Sequence, residues 1–152
     1  MKRRLLATGI AGLVVAGGAA IYQLTAGNSA GAGLDADDAG KVALGAGLYA
    51  ENCAACHGAD LQGQPDWRQR LPNGRLPAPP HDESGHTWHH PAGQLFALTK
   101  HGPAALVGGG YQSDMPAYDG ILSDAEIWAV LSYIKSRWPE DIQARHDQIS
   151  GR

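Results

Sequence analysis

Apolar and polar residues fall into distinct regimes along this chain. From Leu5 to Tyr22 no charged residue occurs, and most positions are Leu, Val, Ile, Ala or Gly. Further on, Val42, Gly45, Ala46 and Tyr49 recur at spacings of three and four, one stripe of a helix running to about Glu51. Asp35, Asp37 and Asp38 precede it, where negative charge favours a helix N-terminus. Gly45 and Ala46 lie within that stripe and would let another helix cross close by. Leu95, Leu98 and Phe96 mark a short helix after Pro91, stopped near Lys100-His101-Gly102 with glycine at the expected C-terminal position. The clearest stripe is Ile127, Val130, Leu131 and Ile134. Ser123-Asp124-Ala125-Glu126 in front of it has the form of a capping box, and Trp138-Pro139 closes it.

Between these helices the period is lost. From Asp60 to Pro91, Pro, Gly, Asn and Asp dominate, and Pro77, Pro79 and Pro80 prevent regular hydrogen-bonded structure. Gly108-Gly109-Gly110 reads as loop. Few runs rich in Val, Ile or Thr occur outside the N-terminal segment, so strands lack material. The expected fold is all-α, with few helices and long loops. Residues 140–152 read as a solvated C-terminal tail.

The apolar N-terminal run follows Lys2-Arg3-Arg4, and a basic start before an apolar stretch directs export. Residues 1–25 are therefore either a signal sequence or a transmembrane anchor. A helix of that run would be roughly 27 Å long at 1.5 Å per residue, nearly enough to span a bilayer. Gly9, Gly12, Gly17 and Gly18 weaken it as a span, while Ala30-Gly31-Ala32 has the small-x-small form of a cleavage site. The anchor is slightly the better reading. Residues 26–34 form a Gly/Ala/Ser linker, and residues 35–139 are the folded domain.

The whole chain has 152 residues, enough for one domain of ordinary size. It carries 12 Lys+Arg against 15 Asp+Glu, and without residues 1–33 the balance is 9 minus 15, or -6. An acidic domain is no nucleic-acid binder, and it suits a partner with a basic docking face. Trp 4, Tyr 5 and Phe 1 are a thin supply for a core beneath so much loop. That shortage points to a bulky cofactor. The chain's two cysteines are too few to staple a fold.

Those two cysteines stand in Cys53-Ala54-Ala55-Cys56-His57, the attachment signature for c-type haem. Two thiols three residues apart on one turn can each add to a haem vinyl group, and the adjacent imidazole lies under the iron. A redox dithiol needs a strand and a βαβ setting, which the pattern lacks. A zinc site needs two more ligands, and His86 with His89 or His90 lies far along the chain for a compact finger. A plain disulfide between Cys53 and Cys56 is a further alternative in an exported protein.

At these residues the sequence resembles the class I, monohaem cytochromes c, in particular small and often anchored bacterial members. The resemblance covers about residues 38–138. Gly47-Leu48-Tyr49-Ala50-Glu51-Asn52 leading into Cys53-Ala54-Ala55-Cys56-His57-Gly58 matches the family's first helix and haem attachment. Leu76-Pro77-Ala78-Pro79-Pro80 matches its proline-bearing loop, in which a carbonyl accepts the proximal imidazole proton; either Pro79 or Pro80 fills that role. Ser113-Asp114-Met115-Pro116-Ala117-Tyr118 matches the distal Met-Pro element, and Leu122 through Trp138 matches the C-terminal helix. The resemblance implies one covalent haem c, with Cys53 and Cys56 as thioether links and His57 and Met115 as axial ligands. It also implies that the first and last family helices cross, with Gly45, Tyr49, Leu131 and Tyr133 or Ile134 at the crossing. Met115 is the sole methionine besides Met1. A thioether is a soft ligand that favours Fe(II) and raises the reduction potential. With both axial positions filled, the function is one-electron transfer. If Met115 were instead a gap-filling core residue, the iron would be open and a haem enzyme acting on peroxide or a similar substrate would follow.

Pro80-His81-Asp82-Glu83-Ser84-Gly85-His86-Thr87-Trp88-His89-His90-Pro91 departs from the family pattern by its four histidines. Three readings compete. Trp88 packs on the haem edge within a polar loop; or His86, Trp88, Arg68, Arg70 or Arg75 bonds the haem propionates; or His86 with His89 or His90, plus His81 or Asp82, holds Cu(II) or Zn(II). The last would make the chain a copper-handling module or tie it to a copper-containing oxidase. The leading expectation is a periplasmic-side electron carrier, tethered or soluble, that serves membrane-bound redox partners between a dehydrogenase or quinol-oxidising complex and a terminal oxidase or reductase. A linker of ten flexible residues has a typical span of roughly 17 Å, which would confine a tethered domain to the bilayer surface.

Overall fold

A computed structural model describes residues 33–151. The signal or anchor expected over 1–25, and the linker as far as residue 32, lie outside the described residues. Within them there are six helices and no strand: α1 (Ala39–Asn52), α2 (Ala54–His57), α3 (Ala92–His101), α4 (Pro103–Val107), α5 (Asp124–Ser136) and α6 (Glu140–Ile149). A single 3-10 turn, Thr87–His89, interrupts the long loop between α2 and α3. None of these helices is long and apolar enough to cross a membrane.

The frame is the crossing of α1 and α5. Asp38 caps α1 by accepting the Lys41 backbone N–H at 3.0 Å. Gly45 then lies against α5 so closely that a Cβ there would stand 1.9 Å from the Ala129 carbonyl oxygen. One turn later Tyr49 is buried and its ring meets that of Tyr133 at 5.4 Å between centroids. Of the two residues expected at this end of the crossing, Tyr133 is thus the one that meets both Gly45 and Tyr49. α5 starts on the capping box expected from its sequence, with Glu126 N–H to Ser123 Oγ at 3.3 Å and Ser123 N–H to Glu126 Oε2 at 2.8 Å. Its buried face carries Ile127, Val130, Leu131 and Ile134. Burying each such side chain is worth about 1.5–3 kcal/mol, which fixes the helix's rotation.

α3 packs on the same helix through the stacked rings of Phe96 and Trp128, 4.5 Å apart. Ser132 of α5 accepts the Asp35 backbone N–H at 2.8 Å, and Leu34 is buried beside it. Leu34, the last residue assigned to the linker, is thus packed into the domain's core.

The C-terminal segment differs from expectation. Residues 140–149 are not a solvated tail but helix α6, with Pro139 at its N-cap. The apolar stripe there is too sparse to signal burial: Ile142 and the ring of His146 do the packing. His146 meets Trp138 edge-on at 5.1 Å and its Nε2 lies 3.1 Å from the His90 carbonyl oxygen. Lys135 of α5 is buried and pairs with Asp147. A polar helix is held by individual partners here, so hydrophobic periodicity misses it.

Candidate haem-binding site

The end of α1 sets the site. The Cys53 N–H bonds the Tyr49 carbonyl at 2.8 Å, and the chain then turns tightly, with Cys56 N–H and His57 N–H both reaching the Cys53 carbonyl at 3.1 and 2.9 Å. Two thiols and an imidazole therefore share one turn, α2. Cys56 is exposed and Cys53 half-buried.

His57 is buried, and its Nδ1 lies 2.8 Å from the Pro79 carbonyl oxygen. A carbonyl only accepts, so Nδ1 carries the proton and Nε2 keeps its lone pair. Burial lowers the ring's pKa, and the bond to Pro79 offsets only part of that. The neutral tautomer with Nε2 free is the form a metal requires.

Of the two prolines expected at this position, the carbonyl is that of Pro79. Its placement rests on backbone contacts. Gln64 N–H bonds the Ala78 carbonyl at 2.9 Å, and the Gln64 side-chain oxygen accepts the Ala78 N–H at 2.8 Å. Gly63, at φ +69, donates to the His57 carbonyl at 2.8 Å, and a Cβ on it would stand 2.4 Å from the Pro80 nitrogen. Gly85 closes on the other side, where a Cβ would fall 2.1 Å from the Pro80 carbonyl oxygen. Only glycine at both points lets three stretches of backbone meet under His57.

Met115 is half-buried against the main core, on which Cys53 and Ala54 also pack. Its N–H bonds Ser113 Oγ at 3.1 Å. Three residues on, Tyr118 ties the methionine loop to the cysteine turn: its hydroxyl donates to the Asn52 carbonyl at 2.6 Å. Its N–H bonds Thr99 and that of Asp119 bonds Lys100, both at the end of α3. Burial raises the Tyr118 hydroxyl to about 12, so it stays protonated and donating.

The other expected site residues have protein partners. Arg75 pairs with Asp114, the neighbour of Met115. The Trp88 indole N–H donates to the Glu83 carbonyl at 3.2 Å, and its ring lies on His89, 3.7 Å away. His86 stacks on Trp67 at 5.2 Å and meets His90 edge-on at 5.3 Å. These two come together without a third ligand: no group of three or more His, Cys, Asp or Glu that could hold a metal occurs among the described residues. The second-metal expectation thus lacks a ligand set. Sequence reading missed Gly63, Gly85, Tyr118 and the ring of His81, which stacks on His57 at 3.9 Å. Tyr118 alone left a signal, as an aromatic just past Met115-Pro116.

An all-α fold carrying two thiols and a neutral imidazole on one turn, with a thioether loop tied to that turn, is a haem-binding electron-transfer domain. The family model for cytochrome c matches residues 42–138, and the chain belongs to that family. It carries one covalent haem c, with Cys53 and Cys56 in the attachment position. Among curated proteins, the Cbb3-type cytochrome c oxidase subunit CcoP of Azospirillum sp. (strain B510) is 35% identical over 101 residues, covering 65% of this chain and 29% of that protein. The chain thus matches less than a third of the relative's length. No solved structure matches.

Proposed function

We propose that this chain is a one-electron carrier whose haem iron is held by His57 Nε2 on one side and Met115 Sδ on the other. The observation that carries the reading is the His57 Nδ1–Pro79 bond of 2.8 Å, which orients the imidazole and leaves Nε2 as its only donor to iron. Bound haem c supplies the iron centre that accepts and releases one electron. Cys53 and Cys56 hold that group by two thioether bonds, Pro79 fixes the tautomer of His57, and Tyr118 holds the Met115 loop to the cysteine turn. With His57 and Met115 both bound, iron would have no open position for peroxide or oxygen, and the chain would move electrons without making bonds.

The partner class follows from charge and kinship. The domain's net charge of -6 (9 minus 15) suits a basic docking face. The oxidase subunit named among its relatives supports a membrane-bound terminal oxidase as the electron acceptor. The basic start and apolar run of residues 1–25 support export and a position at the outer face of the inner membrane, anchored in preference to free.

The test is the absorption spectrum of the purified, oxidised haem protein. The near-infrared Met-to-iron charge-transfer band is expected in the wild type and absent in Met115→Ala. The reduced wild type is expected to resist CO. Rapid CO binding, or a wild type without the band, overturns the carrier reading in favour of a haem enzyme with an open iron.

A further inference from the structure

His81 is an odd occupant of its position. Its ring lies face to face with that of His57, 3.9 Å between centroids and 17° from parallel. Its Nδ1 is buried with no hydrogen-bond partner in the protein. Such an orphaned polar atom is destabilising, and an aliphatic side chain there would avoid that cost. The backbone that carries the ring is held on both sides of the peptide. The His81 N–H bonds the Leu61 carbonyl at 2.7 Å, and its own carbonyl accepts the Trp138 indole N–H at 2.7 Å. The Tyr49 ring stands edge-on to it at 6.0 Å.

The bond from His57 Nδ1 to Pro79 restrains the ring's rotation about Cβ–Cγ, but only within the broad angular range that a hydrogen bond to a carbonyl allows. A flat ring laid on the imidazole face narrows that range. We infer that His81 is a positioning residue for the proximal ligand: its stacked ring fixes the plane in which the His57 imidazole meets the iron. This rests on His57 being an axial ligand, as proposed above. The plane of an axial imidazole sets how unpaired spin is shared among the pyrrole rings of the oxidised haem, so it is read by the order and spread of the four haem-methyl proton resonances.

The experiment uses the full haem-loaded protein and compares the wild type with His81→Phe, His81→Leu and His81→Met by proton NMR of the oxidised form. Phe keeps a flat ring and drops both nitrogens; Leu and Met fill the space without a ring face. His81→Phe is expected to retain the wild-type order of the haem-methyl resonances, and His81→Leu is expected to change that order or narrow its spread. If His81→Leu fails to load haem, His81→Met takes its place in the comparison. Wild-type order in the aliphatic variants overturns the inference, as does a Phe variant shifted as far as the aliphatic ones. A His57→Ala protein that loads haem and keeps the wild-type haem-methyl order overturns the axial assignment of His57 instead, so the two failures are told apart.

Discussion

Two regions meet at His57 and are built by opposite means. The crossing of α1 and α5 is an interface of side chains, in which apolar stripes turn toward each other and Gly45 lets the backbones touch. The loop from Gly58 to Pro91 is an assembly of backbone: carbonyls and N–H groups of His57, Leu61, Gln64, Ala78 and Pro79 bond directly, with glycines where the strands of chain come closest. The first region tolerates exchange of one apolar residue for another but not added bulk at its crossing point. The second tolerates little at Gly63 and Gly85, where a Cβ would meet backbone. The bond that fixes the His57 tautomer is made to a backbone carbonyl, so it does not depend on which side chain residue 79 carries.

The comparison breaks most severely at Gly45. Gly45→Ala would place a methyl group 1.9 Å from a backbone oxygen that cannot rotate away, so α1 and α5 must part. A loss of at least about 3 kcal/mol is expected, the upper end of overpacking costs, read by denaturant unfolding of the haem-loaded protein. An unchanged unfolding midpoint would mean the helices do not cross at this residue.

Gly63 and Gly74 sharpen the contrast within the loop. Both have positive φ, +69 and +83, but a Cβ on Gly63 meets Pro80 while one on Gly74 meets nothing within 4 Å. Gly74→Ala should cost only the left-handed strain, about 1–2 kcal/mol. Gly63→Ala should cost more and, by moving Pro80 and its neighbour Pro79, should also change the reduction potential, which Gly74→Ala leaves alone. Equal potentials in the two variants would detach the proline loop from His57.

The smallest effect belongs to the cap of α5. Hydrogen bonds from Ser123, the backbone N–H first and the hydroxyl second, hold the Glu126 carboxyl below its ordinary 4.5. A carboxylate lowered in the folded state stabilises it above the unfolded pKa and loses that contribution as pH falls through the folded value. The wild type should therefore exceed Glu126→Gln slightly in thermal midpoint at neutral pH, and the gap should close on acidification as Glu126 takes up its proton. A gap that widens on acidification would contradict the capping role.

The same division explains what could be read in advance. Helices α1, α3 and α5 were legible because periodic apolar faces, Asp38 and the Ser123/Glu126 cap are local signals. Helix α6 was not, because Lys135–Asp147 and the His146–Trp138 contact are pairings between segments, and the segment's own composition is polar. Arg75 pairs with Asp114, a partner 39 residues away, and no local pattern announces such a pairing.

The sequence by itself determined the chemistry: two thiols and a histidine at fixed spacing, one available thioether, and helices to carry them. Those are properties of covalent order and local period. Only the tertiary structure decided that the carbonyl of Pro79 and not of Pro80 accepts the His57 hydrogen bond, that Tyr118 joins the methionine loop to the cysteine turn, and that His81 lies on the His57 ring. Each of these is a contact between residues more than twenty positions apart, set by how backbone packs in three dimensions, and no pattern along one chain encodes it.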